Sequence, residues 1–395
     1  MVEVKFVIGA NYGDEGKGLV SAKYAYNAFK QNKRCLTILY NGGPQRGHTV
    51  ETTNGFRHVY HHLAAGSGWG SDTYFHPDFM INPMTFVPEY EYLDTKFPLF
   101  NVFVDRKCKL ITPYDMMANQ LKETGRGDKR HGSCGMGIYE TWQRSHDLFD
   151  KSIAHGCYAD FSQQEDHIKI KTFLANVRRY YEARGVRFDS FPGIDFEGLE
   201  EHYINDFYKM IDCCEQVDNP VDLFNRYDTI IYEGGQGLAL SMTNEDDFPY
   251  LTPSVTGARK MIMHVHNYFG IDADVEITYV TRSYITRHGN GPMDGIDAKV
   301  ALEVDATNRP NPWQGTLRFA YFDEDALYKM FKRIKYDSDN DYTESMKHLK
   351  RNLVITHANI PYDMPTTPFY LCGKMFNNIY HFGSQFVDAC HFMDE

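Results

Sequence analysis

Short apolar runs that end in glycine-containing loops alternate with amphipathic stretches at the start of this chain of 395 residues. The run Val4–Gly9 predicts a buried strand, which is followed by the loop NYGDEGKG and by helical periodicity over Leu19–Asn32. Cys35–Tyr40 predicts a second strand, which ends in the loop NGGPQRGHT. This order, with glycine after each strand, is typical of a largely parallel α/β sheet.

Four later apolar runs predict further strands: Asp228–Glu233, Val275–Tyr284, Asn352–Thr356 and Phe369–Gly373. From about Asp160 to Cys214 the pattern is polar and helical, and no repeat, low-complexity tract or Pro/Ser linker divides the chain. We therefore expect an α/β fold with a mostly parallel central β-sheet and helical elaborations. We expect residues 1–395 to form a single elaborated domain.

Composition narrows the classes of partner. Asp and Glu outnumber Lys and Arg by 53 to 41, which gives a formal net charge of -12 and argues against a protein that coats nucleic acid. The eight cysteines include no Cys-x-x-Cys pair, which favours reduced thiols. The amino terminus resembles a strand more than a signal peptide, and no apolar stretch of 18 residues occurs. We expect a cytoplasmic protein with neither nucleic acid nor membrane as a partner.

The first glycine loop carries a candidate phosphate cradle: Gly13, Asp14, Glu15, Gly16, Lys17 and Gly18. Backbone amides at a helix start, with a lysine among them, suit phosphate oxygens. The loop is not a P-loop, because Asn11 stands where that motif has glycine and Gly18 where it has Ser or Thr. A metal would need another ligand, and Asp14 is the candidate. The alternative is a tight strand–helix turn that binds nothing.

The second loop places His48 between Gly47 and Thr49 after a predicted strand. A single histidine is usually structural or solvated. Loops that follow neighbouring parallel strands open on the same edge of a sheet, however, so His48 is expected to contact a ligand held by the first loop.

These loops and four later segments resemble the adenylosuccinate synthetase family. The family has WGDEGKG and GGHNAGHT where this chain has NYGDEGKG and NGGPQRGHT. Its GTTGRGIGP, FEGAQG, YPYVTSS and STRVGAGP resemble His131–Glu140, Tyr232–Gly237, Phe248–Ser254 and Ile285–Pro292. The segments follow the family's order at nearly its spacing, which is far more specific than any single motif.

The resemblance implies an enzyme, a ligase that joins L-aspartate to C6 of a 6-oxopurine nucleotide such as IMP, through a 6-phosphoryl intermediate driven by a nucleoside triphosphate. It implies that Asp14 removes the N1 proton and binds Mg²⁺ together with the carbonyl of Gly47. It also implies that His48 stabilises charge on the 6-oxygen, and that Lys17 stabilises the transferred phosphoryl group. These residue types suit the reaction, since a 6-oxopurine is a poor nucleophile until N1 is deprotonated.

The resemblance also implies where the nucleotides bind. Cys134 replaces a threonine at the monophosphate site, so Ser133 is the alternative ligand there, and Gln45 replaces an asparagine. Family members are homodimers in which an arginine reaches the partner's substrate phosphate, and Arg144 is the candidate. Gln236 and Thr252, without the family context, are satisfied loop residues. The implied nucleotide-binding set is Gly13, Glu15, Gly16, Gly18, Gln45, Gly47, Thr49, Ser133, Cys134, Arg144, Gln236, Thr252, His357, Asn359 and Gly373.

The chain departs from the family in the loop that binds the amino acid. The family's loop is rich in Thr and Arg, whereas Asp305–Asp323 here contains the foreign segment NPWQG. Thr307, Arg309 and Arg318 remain as candidate ligands for two carboxylates, because the guanidinium fork matches that geometry. The identity of the amino acid is therefore the weakest implication.

The second departure concerns the phosphoryl donor. Asn359 stands where the family has the aspartate that reads guanine, which favours ATP or dATP over GTP. This asparagine and the run Gly237–Met242 resemble the phage branch of the family, the 2-aminoadenylosuccinate synthetases that act on dGMP. That branch replaces the catalytic aspartate with serine, whereas Asp14 is retained here. A dGMP–aspartate ligase, a paralogue with another nucleophile and a non-catalytic nucleotide-binding regulator stay open as alternatives to the IMP ligase.

Overall fold

The computed structural model describes residues 2–52, 55–97, 99–147, 159, 167–191, 193–299, 307–358, 364–365 and 375–381. The strands are β1 (Glu3–Gly9), β2 (Cys35–Leu39), β3 (His48–Glu51), β4 (Arg57–Tyr60), β5 (Asp72–Phe75), β6 (Met80–Ile81), β7 (Val102–Asp105), β8 (Lys109–Leu110), β9 (Glu215–Val217), β10 (Thr229–Gly237), β11 (Asp274–Arg282), β12 (Ile285–Arg287), β13 (Ile296–Ala298), β14 (Arg318–Tyr321), β15 (His348–Thr356) and β16 (Asn378–His381). The helices are α1 (Lys17–Lys30), α2 (Pro83–Asp94), α3 (Pro113–Arg126), α4 (Ile138–His146), α5 (His167–Glu182), α6 (Phe196–Cys213), α7 (Pro220–Phe224), α8 (Arg259–Phe269), α9 (Glu324–Ser338) and α10 (Asp341–Ser345).

Among the residues that the structure describes, nine strands form the central sheet, in the order β16-β15-β11-β1-β10-β2-β5-β7-β9, and all of their pairings are parallel. The predicted α/β fold with a mostly parallel sheet is confirmed. Five of the six predicted strands are present as β1, β2, β10, β11 and β15, and the sixth, Phe369–Gly373, lies outside the described residues.

Helices cover both faces of this sheet, because side chains of each strand point alternately to either side. On β1, Val7 packs in the core that contains α1, α2, α3, α5 and α6, whereas Phe6 and Ile8 pack in the core that contains α7, α8 and α9. Helices α5 and α6 occupy the stretch that the sequence predicts to be helical. In the described parts of the chain, no helix combines the length and the hydropathy that crossing a membrane requires.

A buried histidine at the end of β5 predicts a pH dependence of stability. His76 is 9% exposed, and burial chiefly lowers its pKa to about 3; its Nε2 lies 3.2 Å from Nδ1 of His264. The unfolded chain protonates this residue below about pH 6.5 and the native chain only near pH 3, so stability falls as the pH drops between these values. We expect His76→Gln to reduce the slope of unfolding free energy between pH 7 and pH 5, by up to about 1.4 kcal/mol per pH unit, in urea titrations. An unchanged slope would contradict this assignment.

The parallel strands bring three loops to one edge of the sheet. β1 pairs with β10, and β10 pairs with β2, so the segments after Gly9 and Leu39 and the end of β10, from Glu233 to Gly237, lie at the same edge of the sheet. These segments contain the two glycine loops and the Gln236 motif. This is the edge at which open α/β sheets bind ligands.

Candidate active site

The first loop connects β1 to α1 through residues in left-handed backbone conformations. Gly13 and Gly16 have φ of 93°, and Asp14 has φ of 59°. Lys17 is the first residue of α1, is 2% exposed and lies 3.5 Å from the carboxylate of Glu15. The Glu15 carboxylate also accepts the main-chain N–H of Asn11, and burial raises the pKa of its carboxyl group. The predicted nucleotide contact of Glu15 can therefore come only from its main chain.

Asp14 is held by two side chains that the sequence analysis missed. Arg282, the last residue of β11, donates from Nη2 to Oδ2 of Asp14 at 2.7 Å and from Nε to its main-chain oxygen at 2.5 Å. Asn308 donates from Nδ2 to the same Oδ2 at 2.8 Å. No local motif marks these partners, because they lie 268 and 294 residues from Asp14 along the chain.

The second loop packs against the first. A Cβ built on Gly18 would lie 2.7 Å from Cβ of His48, so only glycine lets α1 approach the second loop this closely. Nδ1 of His48 lies 2.7 Å from Oε1 of Glu233, and Arg46 forms an ion pair with that same oxygen at 2.9 Å. Because a carboxylate only accepts, Nδ1 donates in this contact, and Nε2 is left for a ligand.

The electrostatics of this buried group keep His48 neutral in the free protein. Burial, together with the charge of Arg46, lowers the pKa of His48 to about 4, although Glu233 opposes the shift. Burial by itself would raise the pKa of Glu233, but Arg46 and His48 outweigh it and lower that pKa to about 2. His48 is thus a neutral ring, oriented by a carboxylate that stays ionised.

Two glutamine side chains meet at Gly42. A Cβ on Gly42, whose φ is 72°, would lie 2.7 Å from Nε2 of Gln45 and 3.1 Å from Oε1 of Gln236. Both side-chain polar atoms of Gln45 and Oε1 of Gln236 are buried without a hydrogen-bond partner. Buried amides are normally paired, so these atoms fit a polar ligand that would complete them. The sequence placed both residues in the nucleotide-binding set.

The remaining monophosphate candidates lie on loops with partners of their own. Ser133 exchanges hydrogen bonds with the Asn119 side chain at 2.8 and 3.1 Å. Burial raises the pKa of the Cys134 thiol to about 11, and Asn311 donates to the Cys134 carbonyl at 3.3 Å. The foreign NPWQG segment therefore packs against this loop. Thr252 donates its main-chain N–H to Leu240 at 2.9 Å.

The structure brings only part of the predicted amino-acid site together. The Thr307 hydroxyl lies 3.4 Å from that of Thr49 and accepts from Arg57, whereas Arg309 is exposed. Arg318 stands directly opposite Arg287 across β12 and β14, and Nε of each is buried without a hydrogen-bond partner. Neither guanidinium forms an ion pair with a carboxylate anywhere in the described ranges. This pair of like charges fits an anionic ligand.

Arg144 is a correction to the sequence analysis. Its guanidinium is buried, donates to both carboxylate oxygens of Asp115 at 2.9 Å, and also donates to the Leu110 carbonyl. Because these donors are used inside the protomer, Arg144 does not extend toward a partner's phosphate. The sequence alone does not indicate whether this arginine on α4 points into the protein or toward solvent.

Only part of the predicted binding site for the phosphoryl donor lies among the described residues. His357 has φ of 58°, and its Nδ1 lies 3.0 Å from the Thr356 hydroxyl. A Cβ on Gly16 would approach Thr356 to 2.9 Å, so the end of β15 adjoins the first loop. Asn359 and Gly373 lie outside the described residues.

Asp14 and Gly47 are the predicted ligands of Mg²⁺. No group of three or more His, Cys, Asp or Glu residues suited to a metal occurs among the residues that the structure describes. Mg²⁺ usually takes one or two protein oxygens, with waters and substrate phosphates completing the shell. Asp14 is 21% exposed, and its Oδ1 has no hydrogen-bond partner in the described residues, so one carboxylate oxygen is available. Gly47 is exposed. These two donors fit such a site.

Comparisons with known proteins identify the family. The adenylosuccinate synthetase family model matches residues 6–305. The adenylosuccinate synthetase of Exiguobacterium sibiricum is 26% identical over 298 residues, which is 73% of this chain and 63% of that protein. The enzyme of Lysinibacillus sphaericus is 26% identical over 304 residues, with the same coverage of each chain. The chain thus spans less than two thirds of the length of these curated relatives.

Two solved structures share the fold. Fully ligated adenylosuccinate synthetase from Plasmodium falciparum has a TM-score of 0.65 at 18% identity, covering 91% of this chain and 78% of its own. The succinoaminodeoxyadenylate synthetase of cyanophage S-2L, bound to dGMP and dATP, has a TM-score of 0.54 at 15% identity, covering 98% of this chain and 95% of its own. At these identities the likeness establishes the fold alone. Since the family model matches well over half of its length, the chain belongs to the adenylosuccinate synthetase family.

Proposed function

We propose that this protein is a ligase that joins the amine of L-aspartate to C6 of a 6-oxopurine nucleoside monophosphate, with IMP as the acceptor. The observation that carries the proposal is the joint placement of Asp14, Lys17 and His48, on two loops that pack together at one sheet edge. Mg²⁺, held by Asp14 and the carbonyl of Gly47, would neutralise phosphate charge when bound. Homodimeric assembly remains a prediction.

The proposed chemistry has two steps. Asp14 accepts the N1 proton of the purine, and the 6-oxygen attacks the γ-phosphorus of the triphosphate, so that an O–P bond forms and the diphosphate leaves. The amine of aspartate then attacks C6, the C6–O bond breaks with release of phosphate, and the amine nitrogen loses one proton to solvent. Lys17 and the amides at the start of α1 stabilise the transferring phosphoryl group.

His48 acts on the 6-oxygen through Nε2. The hydrogen bond from Nδ1 to Glu233 orients the ring, and Glu233 carries the charge that stabilises a proton on it. An anionic nucleotide beside Nε2 adds a second negative charge and favours the imidazolium form. His48 thus gains its proton in the complex and stabilises the charge on the 6-oxygen.

The alternative acceptor is dGMP. Asn359 and the Gly237–Met242 run favour it, and the cyanophage enzyme that shares this fold was solved with dGMP and dATP. Retention of Asp14 and the cellular relatives favour IMP. A substrate matrix separates them: IMP, dIMP, GMP and dGMP, each with ATP, dATP or GTP, with and without L-aspartate. Phosphate release that needs no monophosphate would make the protein an NTPase, and no release in any combination would favour a regulator.

A charge-preserving change at the proposed amino-acid site tests its placement. We expect Arg318→Lys to raise KM for L-aspartate about 10-fold to 10²-fold, because lysine loses the fork that matches a carboxylate. KM for the monophosphate should change less than about threefold on the same reasoning. Arg187→Lys is the matched control, at an exposed arginine that pairs with Asp189 outside the proposed site. Equal effects of the two changes on KM for L-aspartate would argue against Arg318 as the ligand.

The base of the phosphoryl donor depends on Asn359 in this proposal. An amide can donate to a ring nitrogen of adenine and accept from its 6-amino group, whereas a carboxylate suits the two donors of guanine. We expect a preference for ATP, and we expect Asn359→Asp to shift the ratio of kcat/KM for ATP over GTP about 10-fold toward GTP. Asn359→Ala, which removes both groups, is the control. A wild-type preference for GTP would contradict this prediction.

A further inference from the structure

The carboxylate of Asp14 is held asymmetrically. Arg282 and Asn308 donate to the same oxygen, Oδ2, at 2.7 and 2.8 Å. The other oxygen, Oδ1, has no hydrogen-bond partner in the described residues, although the side chain is 21% exposed. One oxygen is therefore anchored from two directions, and the other is left for a ligand.

Arg282 also fixes the backbone of Asp14. Its Nε donates to the main-chain oxygen of Asp14, and its Nη1 donates to the hydroxyl of Tyr284 at 2.7 Å. Asp14 has φ of 59°, a region that costs free energy for a residue with a Cβ and persists where surrounding contacts impose it. The rigid guanidinium fork bonds the main chain and the carboxylate at once, which the single ammonium of lysine cannot reproduce.

Asn308 reaches Asp14 from the segment proposed to bind the amino acid. Its Oδ1 lies 3.0 Å from Nε2 of His288, which directs Nδ2 toward Asp14. The neighbouring Thr307 contacts Thr49 in the second loop. The amino-acid loop thus touches the proposed base directly.

We infer that Arg282 and Asn308 are positioning residues that anchor Oδ2 of Asp14 from two sides, so that Oδ1 is the oxygen left to face the bound ligands. The inference rests on the proposed function, since it gives Asp14 the role of base. It adds two residues from outside the motifs of the first two loops, and their effect on the reaction is exerted through Asp14.

A double-mutant cycle tests this dependence. Arg282→Lys and Asn308→Ala should each lower kcat about 10-fold to 10²-fold, because each removes a hydrogen bond to a charged group. KM for the triphosphate should stay within about threefold, since neither residue contacts it in this account. In the Asp14→Asn background the same changes should lower kcat less than about twofold further, because the side chain that they position can no longer act as the base.

Arg259→Lys is the matched control. The Arg259 guanidinium also donates to main-chain oxygens and lies over a tyrosine ring, that of Tyr336 at 4.6 Å, but it is packed against α9 away from Asp14. Its effect on kcat should be under about twofold, and it should be the same in both backgrounds. Equal losses of kcat from Arg282→Lys in the wild-type and Asp14→Asn backgrounds, or unchanged kcat in the wild-type background, would overturn the inference.

A measurement without substrate separates this inference from the proposed function. Urea midpoints of the same variants should show that Arg282→Lys destabilises the wild type more than it destabilises Asp14→Asn. If the wild type releases no phosphate, the ligase proposal fails. A larger midpoint shift from Arg282→Lys in the wild type than in Asp14→Asn would still demonstrate the contact between Arg282 and Asp14. If the midpoint shifts are equal in both backgrounds, Arg282 does not act on Asp14 and the inference fails, whatever the activity.

Discussion

We expect Asp14→Asn to lower kcat by about 10²-fold to 10⁴-fold while the protein stays folded. An amide has the shape of the carboxylate but cannot accept the N1 proton, so the 6-oxygen remains a poor nucleophile. The amide oxygen can still accept from Arg282 and Asn308, and this is why we expect little change in structure. Steady-state phosphate release at saturating substrates measures kcat, and the urea midpoint reports folding. Near-normal turnover would mean that another group deprotonates N1.

We expect His48→Ala to lower kcat by about 10²-fold to 10³-fold, as is typical for loss of one preorganised donor to a developing charge. The Nδ1 contact with Glu233 fixes the ring, so the variant loses an imidazole that is already oriented before substrate binds. His266→Ala, on α8, removes an imidazole that packs against Tyr342 and serves as the control. A loss confined to KM for the triphosphate, with kcat unchanged, would move His48 from catalysis to donor binding.

The strands that bear the site were predictable because each is a short buried apolar run followed by glycine or a polar turn. In β1 and β2 almost every side chain is buried, which is the pattern of a central parallel strand. The short strands β5, β7, β9 and β16 of the central sheet were missed, since four or fewer residues carry too little pattern to be separated from loops.

Some residues of the site could be predicted because they lie in local sequence motifs, whereas others contact residues that are distant along the chain. Asp14, Lys17 and His48 belong to local motifs, so their sequence neighbours marked them. Arg282 and Asn308 act on a residue far away in the chain, and no local pattern reports such a contact. Glu233 lies within a recognised motif, but its hydrogen bond to His48 became apparent only when the register of β10 beside β2 was known.

The errors have the same physical origin. Arg144 was assigned to a partner's phosphate because it follows a family motif, yet Asp115 binds it within the same chain, 29 residues earlier. Glu15 looked like a loop residue facing a ligand, yet its carboxylate turns beneath the loop toward Asn11 and Lys17. For both residues, the direction of the side chain depends on tertiary partners.

The central claim is that the 6-oxygen of the purine carries the phosphoryl group before the amine displaces it. The most direct test is to follow ¹⁸O from the 6-position of labelled IMP, and of labelled dGMP, during turnover with ATP, Mg²⁺ and L-aspartate. We expect each phosphate released to carry one ¹⁸O from the purine, because the C6–O bond breaks. Phosphate that contains no oxygen from the purine, with the label retained in the nucleotide, would contradict it.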